Sequence, residues 1–402
     1  MVSPAPLQMD PSLSSDSTAL EACLADVLAR FLNSDKPVLV AGSGLRALRR
    51  PTHAFHTLAE TIGCAVACQP EAKGLFDESH PLFIGTYWGL CSSPLTAEIV
   101  ESCDIALLCG CVFTDYNTAG WTTSLSPSKC IFADHYGVKV CGRYYSHIML
   151  EDFVSGLAKR IVRREKSHVN YLRFVRPPSR PAEPSNRGPL RLEDLRQAIE
   201  RCLSPRTDLV VDVGDCWFLS QEMHLPHGAT FHMQMLYGST GWSIGAALGI
   251  AFAKRGREVI VLVGDGAFQM GMQEISTMIR FKLKVTVIVV NNNGYVSDRC
   301  ILDGSYCPYI LMLCRIIPCI GSFNDVQNWD YAGLVGALNG ESGGGMGVRV
   351  GTLPALDVAL EKARSQDGFS LIECLIARDD CSLKLLEWGQ RVARSNMRPT
   401  HL

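Results

Sequence analysis

Two apolar runs, each broken by a tight turn, constrain this chain more than any other feature. Residues 258–263 form a strand pattern that runs into Gly264-Asp265-Gly266. Residues 284–290 form another that runs into Asn291-Asn292-Asn293-Gly294-Tyr295. Between the turns, Phe268, Met270, Met272, Ile275, Met278 and Ile279 recur at roughly helical spacing. The unit reads strand, turn, helix, strand, turn. In a parallel sheet both turns lie side by side at the carboxyl edge, where open α/β folds bind ligands.

The residue types at those turns fit a hard cation holding a diphosphate. Asp265 offers a carboxylate, Asn292 an amide oxygen, and Gly294 a backbone carbonyl that no side chain shields. Oxygen donors of this kind suit magnesium, which keeps phosphate oxygens and water as its other partners. Gly264 and Gly266 let the backbone approach a ligand closely. A helix starting near Ala267 would aim free amides and its positive end at phosphate. Either turn alone reads equally well as an ordinary loop. The pair, 27 residues apart from Asp265 to Asn292 on this scaffold, favours the cation site.

With those residues in view, the chain resembles the pyruvate decarboxylase family, its plant-type members above all. The span from Gly264-Asp265-Gly266 to Asn291-Asn292 matches the family's thiamine diphosphate motif. Tyr237-Gly238-Ser239-Thr240-Gly241-Trp242, Gln327-Asn328-Trp329-Asp330-Tyr331 and Leu385-Leu386-Glu387-Trp388-Gly389 look similar, as does Gly85-Thr86-Tyr87-Trp88-Gly89 in the first half. The resemblance implies two doubly wound parallel-sheet α/β domains. It implies decarboxylation of pyruvate or a similar 2-oxo acid with thiamine diphosphate and magnesium, in a cytoplasmic homo-oligomer, a dimer or tetramer. By the same resemblance, Asp265, Asn292 and the carbonyl of Gly294 are metal ligands. Gly238, Ser239, Thr240, Gly264, Gly266, Ala267 and Tyr295 join them in holding the cofactor.

Composition and patterning agree with this organisation. A chain of 402 residues holds at least two domains. Net charge −2 with 19% charged residues makes no electrostatic case for nucleic acid or a membrane surface. None of the 17 cysteines forms a CxxC pair, which suits reduced thiols in the cytosol. Residues 241–253 are apolar but too short to span a bilayer. Residues 1–17 read as a flexible leader, 18–162 as a central α/β domain, 163–190 as a basic, proline-rich linker, and 191–402 as the diphosphate-binding domain. Gly42-Ser43-Gly44 after a strand mimics a dinucleotide fingerprint with Glu60 downstream, but the match is short and reads as a structural turn. His53 and His56 share a helix face without further ligands nearby and read as a surface pair.

The chain departs from the family pattern in several places. Thr240 replaces a large aliphatic side chain, and Val213 replaces a threonine. Asp298 stands where the family has a catalytic glutamate, one methylene shorter. The family's amino-terminal pyrimidine-binding domain, with its glutamate and His pair, has no counterpart. Residues 308–323 form an apolar stretch without one either, read as retained non-coding sequence or as a lid or docking segment. Two further readings follow: a non-catalytic relative that binds cofactor weakly or pairs with full-length subunits, and a sister thiamine enzyme. The chain alone is expected to turn over pyruvate poorly.

Overall fold

The computed structural model describes residues 14–48, 51–162, 188–298, 325–341 and 343–395. The apolar stretch 308–323, most of the leader and most of the linker lie outside the described residues.

The first sheet joins β1 (Pro37–Ala41), β2 (Ala65–Cys68), β3 (Phe83–Thr86), β4 (Ile105–Cys109), β5 (Cys130–Ala133), β6 (Gly137–Val140) and β7 (Arg143–Ser146) in the order β3-β2-β1-β4-β5-β6-β7. Helices α1 (Ser17–Leu32), α2 (Pro51–Ile62), α3 (Thr96–Glu101) and α4 (Leu150–Ala158) connect or flank it. The first five strands pair in parallel, as the alternation of helix and strand patterns implies. The edge departs from an all-parallel sheet. β6 pairs antiparallel with β5 and with β7, a hairpin whose charged and polar residues give no apolar run in the sequence.

The second sheet joins β8 (Thr207–Val211), β9 (Thr230–Met233), β10 (Glu258–Gly264), β11 (Val285–Asn291), β12 (Met346–Val350) and β13 (Ser370–Leu375) in the order β12-β13-β11-β10-β8-β9, all parallel. Its helices are α5 (Leu192–Cys202), α6 (Asp215–Gln221), α7 (Trp242–Ala253), α8 (Asp265–Gly271), α9 (Glu274–Arg280), α10 (Tyr331–Asn339), α11 (Leu353–Ser365) and α12 (Leu383–Ser395). β8, β10 and β11 carry Val, Ile and Leu on both faces and are almost fully buried, as central parallel strands must be. The single helix expected between the two turns is two helices, α8 and α9. Gly271 ends the first of them where a Cβ would stand 2.9 Å from the carbonyl of Gly241.

The dinucleotide-like turn proves to be closed by its own chain. Residues Ser43–Ala47 form only a short 3₁₀ turn rather than a helix. The amides of Gly42 and Gly44 donate to the carbonyls of Cys109 and Gly110, both at 2.8 Å. A Cβ on Gly42 would overlap Gly110 and Cys111. Backbone donors that a pyrophosphate would need are already used. His56 is not a surface group. It is half-buried and stacks on Phe76 at 4.3 Å, and burial lowers its pKa. Cys109 and Cys374 are fully buried strand residues, as their apolar context implies.

Aromatic packing joins the two sheets. Trp88 of the first domain stacks on Phe218 of α6 at 4.9 Å. The indole N–H groups of Trp88 and of Trp388 on α12 both donate to the carbonyl of Tyr116, at 2.7 and 2.9 Å. Gln221 at the end of α6 donates to the carbonyl of Pro70 at 2.9 Å.

Candidate functional site

β10 and β11 are neighbours with Gly264 opposite Val290, so the two turns emerge side by side at one sheet edge. Asp265 opens α8 and is only 2% exposed. One of its carboxylate oxygens accepts from the amide of Gly266 at 2.7 Å, and the other from the amide of Gly294 at 2.9 Å. Burial raises its pKa above the ordinary value, and these amides with that of Asn293 oppose the shift. The Gly266 amide is therefore held by Asp265 rather than free, which narrows the expected set of phosphate-facing amides.

The three consecutive asparagines have separate jobs. Asn291 faces the core, donating to Glu373 at 2.8 Å and to Asn328 at 3.0 Å, while its own oxygen accepts from the amide of Asn293 at 3.3 Å. It thereby braces the turn. Asn292 is buried at the cleft wall. Asn293 has φ 62° and Gly294 φ 131°, a left-handed reversal that turns the backbone at Gly294 toward Asp265.

A third loop completes the edge. Gly238 has φ 58°, and a Cβ there would press on the Tyr116 ring at 3.0 Å. The loop is anchored from β8: Asp212, 1% exposed, accepts from the amide of Gly241 at 3.0 Å and from that of Ser243 at 2.9 Å. A carboxylate thus caps the amino end of α7, where its charge is favourable.

The loops enclose a cleft with about 920 Å³ of empty space, part of it open solvent. Gly238, Thr240, Gly264, Asp265, Gly266, Ala267, Asn292, Gly294, Tyr295 and Asp298 all line it. Ser239 does not. It is exposed, and its amide donates to Gln234 at 3.1 Å. Burial raises the pKa of Asp298. It also raises that of Tyr116, with help from the charges of Asp115 and Asp298.

Sequence reasoning did not assign several further wall residues, among them Tyr116 from the first domain, Asp215 and Trp217 from α6, and Leu385 and Trp388 from α12. Asp215, three residues beyond Asp212, could have been suspected from its place just past a strand end. Tyr116 carries no local signal, because only the packing of two domains brings it to the cleft.

Two family descriptions match the chain: "Thiamine pyrophosphate enzyme, central domain" over residues 24–155, and "Thiamine pyrophosphate enzyme, C-terminal TPP binding domain" over residues 212–374. Pyruvate decarboxylase 2 of Pisum sativum is 38% identical over 400 residues, covering 98% of this chain and 94% of that relative. Pyruvate decarboxylase of Neurospora crassa is 38% identical over 405 residues, with 99% and 67% covered. Pyruvate decarboxylase 1 of Arabidopsis thaliana is 37% identical over 399 residues, and this chain spans 63% of its length. Among the described residues no helix is long and apolar enough to cross a membrane. Matched in both sheets and along nearly its whole length, the chain belongs to the pyruvate decarboxylase family of thiamine pyrophosphate enzymes.

Proposed function

We propose that the cleft holds thiamine diphosphate through magnesium and serves the non-oxidative decarboxylation of pyruvate or a similar 2-oxo acid. The observation that carries this reading is Asp265, a carboxylate buried beside Asn292 and the left-handed turn at Gly294, with no ion-pair partner among the described residues. A buried charge of this kind is costly unless a cation compensates it. One carboxylate, one amide oxygen and one carbonyl leave positions for phosphate oxygens and water, as magnesium prefers. The chemistry the cofactor supplies when bound is an electron sink for the bond to the departing carboxylate.

The protein's own residues orient and shield. Gly238 and Thr240 would hold the cofactor's pyrimidine end, and Thr240 offers less bulk than the aliphatic residue expected there. Asp298, held toward its protonated form by burial, stands ready to exchange a proton near the reacting centre. Tyr116, Trp217 and Trp388 form an aromatic wall that would shield a bound substrate from water. Assembly into a homo-oligomer and a cytoplasmic setting belong to the same proposal.

The test is magnesium-dependent binding of thiamine diphosphate by the 402-residue protein, followed through tryptophan emission, with acetaldehyde release from pyruvate measured alongside. Binding that requires magnesium is expected. Absence of binding at millimolar cofactor and magnesium overturns the reading. Gly266→Val supplies a sharper probe, because a side chain there would collide with the Tyr295 ring. It should weaken cofactor binding about tenfold or more while the sheet stays folded. Undiminished affinity would remove Tyr295 and Gly266 from the cofactor cradle.

A further inference from the structure

We propose that Asp215, acting through Ser382, is the positioning residue that seats the carboxyl-terminal helix α12 as one wall of the cleft. Asp215 begins α6 and lines the cleft, yet its carboxylate is turned to the start of α12. One oxygen accepts from the Ser382 amide at 2.8 Å, and the other accepts from the Ser382 hydroxyl. That hydroxyl oxygen in turn accepts from the Leu385 amide at 3.1 Å, capping the helix. Residues Leu385 and Trp388, one and two turns on from Ser382, are the pair that α12 presents to the cleft. Both are nearly fully buried.

The other contacts of α12 reach both domains. Trp388 packs edge-on against Tyr116 at 5.3 Å and against Phe218 at 5.5 Å. A Cβ on Gly120 would stand 2.6 Å from the carbonyl of Arg391. Without the Asp215–Ser382 link, α12 keeps its aromatic contacts but loses the cap that fixes its first turn. Asp215 therefore touches the reaction only through the two side chains it places.

The arrangement also gives the seat a pH dependence. Burial raises Asp215 to about 6, against the pull of the Ser382 donations, and the charges of Asp380 and Glu222 add to the rise. Glu222 is itself paired with Lys384 of α12 at 3.4 Å, and Asp380 accepts from the Leu192 amide at 2.8 Å. Cys216, next in the chain, feels the charges of both Asp212 and Asp215. If α12 lifts, Asp215 meets solvent and returns to an ordinary carboxyl value. The seated form thus binds the proton more tightly, and acid favours seating.

This inference rests on the proposed function only for its catalytic consequence, so its test has a structural arm. Amide hydrogen exchange of the full chain is measured for peptides covering residues 383–392 and for β10 and β11. Asp215→Ala and Ser382→Ala should raise exchange in the helix about tenfold and leave the strands protected, while Ser382→Thr restores the wild-type rate. Corrected for intrinsic rates, wild-type exchange in the helix should be slower at about pH 5 than at about pH 7.5. Asp215→Asn should abolish that difference. Equal exchange in wild type and both alanine variants, or Ser382→Thr behaving as Ser382→Ala, overturns the proposal. In a second arm with magnesium, thiamine diphosphate and pyruvate as probe, the alanine variants should raise KM several-fold more than they lower kcat. A wild-type protein that releases no acetaldehyde counts against the proposed function and leaves the exchange result to decide this one.

Discussion

Asp265→Ala is expected to abolish magnesium-dependent binding of thiamine diphosphate, a loss of at least about a hundredfold in affinity. Removing a buried charged partner from a polar site costs about 3 kcal/mol or more, and each 1.4 kcal/mol is about tenfold. The isosteric Asp265→Asn separates binding from folding. Because burial raises the Asp265 pKa, its charge weakens the ligand-free fold once pH rises through that raised value. Asp265→Asn relieves that charge but leaves one of the two amide donors without an acceptor, so it should melt within about 5 °C of the parent near neutral pH while binding cofactor poorly. Titration with thiamine diphosphate and a thermal melt of each variant check both halves. Full affinity in Asp265→Ala would remove the ligand assignment.

The largest effect on stability is expected at the opposite end of the same sheet. Asp208 on β8 is fully buried and accepts from Lys254 at 2.6 Å, from Arg257, from Thr230, and shares a proton position with His232 at 3.0 Å. Burial alone would raise this carboxyl. The bonds from His232, Lys254, Thr230 and Arg257 outweigh it and hold the carboxyl well below the usual range. Asp208→Ala strands two cations and a hydroxyl and should destabilise the protein by about 3 kcal/mol, the low end for a broken buried pair because its partners are partly exposed. The sign with pH follows from the lowered value. The contribution is fully present above the unfolded carboxyl pKa of about 4 and fades as pH falls below it. Parent and variant should therefore differ most near neutrality and converge under strong acid, as denaturant melts across pH will show. A gap that widens in acid would refute the assignment.

How far the sequence could be read depends on where each signal lives. The strands Ala65–Cys68, Ile105–Cys109 and Cys130–Ala133 fall where apolar runs between breakers place them, because a strand buried on both faces needs nothing else. The two turns at Gly264 and Gly294 were legible because adjacent parallel strands end side by side and sharp reversals accept glycine. β6 and β7 left no trace, since Lys139, Arg143 and Ser146 interrupt any apolar run there. The break between α8 and α9 was equally hidden, as it arises from contact between Gly271 and a loop thirty residues earlier. The same is true of the cleft wall. Tyr116, Trp217 and Trp388 meet across two domains and a terminal helix, and no local pattern encodes such a meeting.

The shared carbonyl of Tyr116 has a consequence for engineering. It serves Trp88 from one domain and Trp388 from the last helix of the other, so each domain supplies part of its neighbour's interior. A transplant of the second domain onto another scaffold would carry the Asp265 and Asn292 turns intact. It would leave Trp217, Phe218 and Trp388 facing water, with one indole donor unmatched. The modules that recur as separate units along the chain are not interchangeable parts unless their aromatic seam travels with them.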